Sequence, residues 1–181
     1  MATQTFKKSY KGYYITAIVL VLIVIFFLPI IPVEKTIPVQ KTVTRTETLI
    51  NDKPTVSAGY YLYYREYIDI SGKSRNVVYV SVVETAGYDI RLYVFDQKGF
   101  NAWRNGYSSQ PYVDSGRIKS YSGSFVPDHS DYYYFVFDNS YSWFTNKVPQ
   151  ITVTWEYQET ITDYEKVRRY VSIFQLMTGT Y

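Results

Sequence analysis

Residues 132–158 read Tyr-Tyr-Tyr-Phe-Val-Phe-Asp-Asn-Ser-Tyr-Ser-Trp-Phe-Thr-Asn-Lys-Val-Pro-Gln-Ile-Thr-Val-Thr-Trp-Glu-Tyr-Gln. Tyr132 to Phe137 is the most hydrophobic short run beyond the N-terminal region. It is closed by the turn formers Asp138-Asn139-Ser140. Gln150 to Gln158 alternates, with Ile151, Val153, Trp155 and Tyr157 in one phase and Thr152, Thr154 and Glu156 in the other. Period-two alternation bounded by turn residues predicts strands with one buried face. Tyr141 to Lys147 reads as a further short strand between the two.

The same signal extends toward the N-terminus. Tyr60 to Ile70 is a Tyr-rich strand closed by Ser71-Gly72. Asn76 to Glu84 places Val78, Val80 and Val82 in phase, and Tyr88 to Phe95 alternates Ile90, Leu92 and Val94 with Asp89, Arg91 and Tyr93. Arg117 to Val126 reads as one strand. Short strands at regular spacing indicate an antiparallel sandwich or barrel. Aromatic content is 19%, with 22 tyrosines, which suits a pleated, half-buried surface. The expected class is all-β, an antiparallel β-sandwich of jelly-roll type over residues 56–158. Asp96 to Gly116 is a long polar loop with room for one helical turn. Its aromatics Phe100, Trp103 and Tyr107 make it the candidate binding loop, because long ordered loops often carry function.

Gly12 to Val33 carries no charge over 22 residues, and about 20 apolar residues cross a bilayer core. Residues 12–33 are therefore expected to form one N-terminal transmembrane anchor, helical from about Tyr10 to Leu28 and ended by Pro29 and Pro32. Residues 1–11 are a basic lead. Lys7, Lys8 and Lys11 predict a cytoplasmic N-terminus and an extracytoplasmic remainder. The run lacks the short core and small-residue cleavage site of a secretory signal, so it reads as an uncleaved signal-anchor in the cell membrane. Residues 34–55 read as a stalk that becomes a first strand near Gln40, with Pro38 confining it to an edge. In the tail, residues 159–181, a strand gives way to a short amphipathic helix. Val167, Tyr170, Val171, Phe174 and Met177 fall at helical spacing.

Charge and composition exclude several functions. Of the 19 Lys and Arg, three precede Glu34, and the other 16 equal the 16 Asp and Glu. The basic excess is thus juxtamembrane, which removes the reason to expect a nucleic-acid partner. There is no Cys and a single His, His129, so the usual zinc set is missing. Asp96, Asp114, Asp128 and Asp131 lack calcium-loop spacing and read as turn formers. No nucleophile–base pair and no phosphate-cradling loop stands out. No metal, no cofactor and no enzymatic activity are expected.

Phe137, Asp138, Asn139, Ser140, Trp143 and Lys147, followed by the Ile151–Tyr157 strand, resemble the closing strands of GOLD domains. These are β-sandwich modules of p24-type cargo receptors and Sec14-like proteins. The close likeness covers about 25 residues. It implies a non-catalytic protein-binding sandwich. The N-terminal anchor departs from the C-terminal anchor of p24-type proteins, so cargo sorting is not carried over. Lys11-Gly12 before an apolar run also resembles an archaeal prepilin signal, and the Lys, Thr and Tyr-rich style is similar to surface proteins of thermophilic archaea. The expected function is an interaction or structural module on a single-pass membrane protein, as accessory subunit of a membrane complex or of the cell envelope. Its expected partners are the lipid bilayer and other membrane or envelope proteins. The alternatives are a pilin-like filament subunit and a glycan-, lipid- or solute-binding domain.

Overall fold

The computed structural model describes residues 11–180; the topological roles expected of Lys7 and Lys8 lie outside them. In chain order the elements are α1 (Lys11–Phe27), β1 (Ile31–Asp52), β2 (Tyr61–Ile68), β3 (Lys73–Glu84), β4 (Ile90–Phe95), α2 (Gln97–Arg104), β5 (Val113–Ile118), β6 (Ser120–Phe125), β7 (Asp131–Asp138), β8 (Pro149–Val171) and α3 (Ile173–Thr178). The chain divides into two compact units, Lys41–Ile161 and Met1–Gln40 with Thr162–Tyr181.

The Lys41–Ile161 unit is built on two antiparallel four-stranded sheets, ordered β1-β8-β3-β6 and β2-β7-β4-β5. Alternation sets which side chains meet between them. β3 contributes Val78, Val80 and Val82, and β8 contributes Ile151, Val153 and Trp155. They pack against Ile90, Leu92 and Val94 of β4 and Tyr133, Phe135 and Phe137 of β7. All of these are at most 3% exposed, so the expected β-sandwich architecture is present. One buried donor on this core is matched: Trp155 Nε1–H donates to Asn76 Oδ1 at 3.2 Å. Unmatched, it would cost about 1–3 kcal/mol.

β7 is buried on both faces from Tyr133 to Asp138. It lies between β2 and β4, and its outer face is covered by α2. That double burial explains its unbroken apolar run, since a strand covered on both sides has no polar phase.

Several local expectations are corrected. Tyr141 to Lys147 is not a strand; only Lys147 forms an isolated bridge, to Val56. The segment folds back on itself instead, with Thr145 N–H donating to Ser142 Oγ at 3.2 Å. Arg117 to Val126 is two strands. β5 pairs with β4 and β6 with β3, so the chain changes sheets at Lys119. Within β5 the register against β4 shifts between Asp114 and Arg117, where Gly116, with φ of 63°, lies in the left-handed region open to glycine. There Ser115 Oγ, in place of a backbone carbonyl, accepts the Leu92 N–H. Residues 96–116 hold two turns of helix and all but the end of β5, rather than one turn in a loop.

In the other unit, α1 has 17 residues. At 1.5 Å per residue it rises about 25 Å, against about 30 Å for a bilayer core. No helix among the described residues is long and apolar enough to cross a membrane. The helix stops two residues before Pro29, which cannot donate and disfavours helix at the residue before it. β1 then starts at Ile31, within the stretch assigned to the anchor. The stretch read as a stalk is a strand, and β1 is a sheet edge, where its prolines are tolerated. Residues 31–40 run beside the last part of β8: Gln40 Nε2 donates to Thr162 Oγ1 at 3.2 Å, and Arg168 lies 3.7 Å from Glu34.

The tail corrects the helical reading of Val167 to Val171. β8 continues to Val171, because pairing with β1 outweighs the helical spacing. α3 begins only where Ser172 supplies a capping box with Gln175, and it ends at Gly179 with φ 68°. Its Phe174 packs on α1, with ring centroids 6.2 Å from Phe26 and 5.2 Å from Phe27.

Candidate functional site

Three features of the Lys41–Ile161 unit carry chemistry beyond the core. The first is the outer face of the β2-β7-β4-β5 sheet. Asp96 caps α2, its Oδ1 accepting the Gly99 N–H at 2.5 Å. The cap directs the helix across β7 and β4. Phe100, 2% exposed, stacks on Tyr134 at 4.1 Å and 7°. Trp103 lies against Tyr61 at 5.0 Å, Tyr93 at 5.7 Å and Phe95 at 5.8 Å. Phe100 and Trp103 are thus brought together as a second small core, with Trp103 half-buried at its rim. Tyr107 is exposed beyond the helix. The three residues expected to form one loop do not act alike: Phe100 is covered and unable to touch a ligand.

Around this cluster the sheet presents further rings. β2 places Tyr61, Tyr63, Arg65 and Tyr67 outward in alternation. Tyr132 joins Tyr67 at 5.0 Å, and the Arg65 guanidinium sits 4.3 Å over the Tyr132 ring. Sequence reading missed this face, although the odd-numbered phase of Tyr61 to Tyr67 was its signal.

The second feature is the 139–147 loop. Asn139 is fully buried. Its Nδ2 donates to the carbonyls of Val56, Ser57 and Thr145 at 3.1, 3.1 and 2.9 Å. Asp138 Oδ1 accepts the Ser140 N–H at 2.9 Å. Lys147 is 4% exposed. Its ammonium lies 3.4 Å from Asp89 Oδ1 and 4.7 Å over the Tyr88 ring. Nearby Glu84 accepts the N–H groups of Val148 at 2.6 Å and Tyr88 at 2.8 Å. Burial alone would raise the pKa of Glu84. These backbone donors and Lys147 together hold it below the usual carboxylate range. Asp138, Asn139 and Lys147 thus pin the loop, while Phe137 lies in the core and Ser140 is exposed beside them. At its tip Trp143 is 87% exposed and Phe144 95%. Phe144 was not singled out in the sequence; its only signal was adjacency to Trp143.

The third feature is a charged cluster. His129 Nδ1 lies 2.7 Å from Asp128 Oδ1, and its Nε2 lies 3.4 Å from Asp131 Oδ2 and 3.9 Å from Asp96 Oδ2. Asp96, His129 and Asp131 could each offer one atom to a cation. A proton on His129 satisfies the same carboxylates. The hydrogen bond to Asp128 raises the imidazole pKa, with Asp131 adding to it and burial opposing. Asp96 and Asp131 also have structural work at the start of α2, since Asp131 Oδ2 accepts the Gln97 N–H. Asp114 stands apart, with Arg91 Nε and Nη2 donating to its two oxygens at 2.9 and 2.6 Å. The cluster reads as a histidine ring held between carboxylates.

Comparison with protein-family models and with curated proteins gives no match, so function is argued from these surfaces.

Proposed function

We propose that this chain is a membrane-tethered protein whose β-sandwich is an extracytoplasmic interaction module, acting as an accessory subunit of a membrane complex or cell envelope. The observation that carries the module is the Trp143–Phe144 tip. Two adjacent large aromatics in water are costly, and aromatic anchors dominate binding energy at protein contacts. The Asn139 hydrogen bonds make the loop rigid, so little ordering entropy is lost when a partner covers the tip. The alternation of strands between the two sheets supports a jelly-roll reading, and the GOLD-like residues support a non-catalytic sandwich. The tether is supported by α1, which is apolar on all sides. From Tyr13 to Val24 every side chain is exposed in the isolated chain, and such a helix is stable only when covered.

The test is native electrophoresis of the full chain extracted in mild detergent from its own membranes. Wild type is expected to migrate in a complex that W143A/F144A abolishes while its melting temperature is kept. Co-migration of wild type and variant as the free chain would exclude the module reading.

A second reading rests on the outer sheet face, where Trp103 and exposed tyrosines beside Arg65 resemble the stacking surfaces that take sugar rings. If it holds, Trp103→Ala abolishes retention on a glycan affinity column. Equal retention of variant and wild type removes it.

A further inference from the structure

We infer that α3 lies in the headgroup layer of a lipid bilayer, as a second membrane contact beside α1; the inference rests on the membrane-tether reading above. Six residues make too short a helix to persist alone. This one is built at both ends, by the Ser172–Gln175 capping box and by Gly179 in the left-handed region. Its own unit does not bury it: Phe174, Leu176 and Met177 are 42, 44 and 75% exposed. Phe174 leans on Phe26 and Phe27 at the C-terminal end of α1. The exposed apolar surface of α3 therefore continues that of α1, through Leu28 and Ile30.

Charge selects lipid over a second apolar protein surface. Lys166 and Arg169 are exposed on the strand leading into α3, where Arg168 pairs with Glu34 at 3.7 Å, and Tyr170 beside them is 60% exposed. Basic and aromatic residues next to a short apolar helix match the interfacial layer, where rings sit at headgroup depth and cations meet anionic lipid.

The chain has no cysteine, so single-cysteine labels report cleanly. Full-length M177C, I18C and Y107C, each carrying an environment-sensitive fluorophore, are reconstituted in phosphatidylcholine–phosphatidylglycerol vesicles and quenched with brominated lipids. Expected is strong quenching of the Met177 label by lipids brominated near the headgroup, with the Tyr107 label unquenched. Quenching at Ile18 without quenching at Met177 overturns the inference and leaves the tether standing. No quenching at either site overturns both. A Met177 label shielded only as protein concentration rises assigns α3 to a second copy and overturns the lipid assignment.

Discussion

Asn139 shows how much one buried polar side chain controls. It ties three carbonyls from two distant segments. Replacing it by alanine removes these ties, while the carbonyls keep the Lys147 N–H, Tyr60 N–H and Ser142 Oγ as donors; the loss is expected to cost about 2 kcal/mol, measured as a lower urea midpoint of the full chain in detergent. Glu84 gives a pH dependence. Its folded pKa is depressed, so its stabilisation is present above the unfolded carboxylate value and fades as pH falls through the folded one. Wild type should exceed E84Q in stability at neutral pH, with the gap closing as the solution is acidified; a constant gap would refute this. His129 has the opposite sign. Its raised pKa means stabilisation that is present below the unfolded histidine value and lost as pH rises through the folded one. Proton NMR of its ring should titrate above the ordinary histidine range, and D128N should lower that value. Asn139, Asp96 and Asp128 were legible in sequence as turn formers, and Glu84 as the end of a strand. Their pairing was not, because Asn139 and Val56, or His129 and Asp96, are joined only by the fold.

At the scale of elements, α2 stabilises the sheet from outside. Phe100→Ala should cost about 3 kcal/mol, as for other buried phenylalanines, and should raise hydrogen exchange in β7 and β4 more than in β3. Equal exchange across both sheets would place Phe100 outside that small core. Strands with one polar face were readable in sequence: Val78, Val80 and Val82, or Ile151, Val153 and Trp155, sit where alternation put them. Two kinds of element were not. Arg117 to Val126 looks continuous because the change of sheet at Lys119 leaves no turn signal in the sequence. Val167 to Val171 carries only a helical spacing locally, and strand pairing with β1, invisible in the local pattern, overrode it. For the same reason Tyr141 to Lys147 looked like a strand: its aromatics are β-formers, but no neighbouring strand offers them hydrogen bonds.

At the scale of the whole molecule, the proposed tether and the proposed interaction module should separate experimentally. W143A/F144A is expected to leave the fold intact and to weaken the complex by about 2 kcal/mol or more, roughly thirty-fold, read as a lost native-gel band at unchanged melting temperature. By itself the sequence determined the β class, the apolar N-terminal run, the placement of the charge excess beside that run and the aromatic loop of Phe100, Trp103 and Tyr107. Those follow from local period and composition, which the chain carries at every window. Tertiary structure decided which aromatics are used up in packing and which are left for contact. Phe100 and Trp103 share a polar, aromatic segment with Tyr107, yet α2 sinks Phe100 onto Tyr134. Trp143 and Phe144 belong to an aromatic run that otherwise fills the core, yet they stand in water. Burial is a property of what comes to lie opposite a side chain, and only the closed sandwich specifies that.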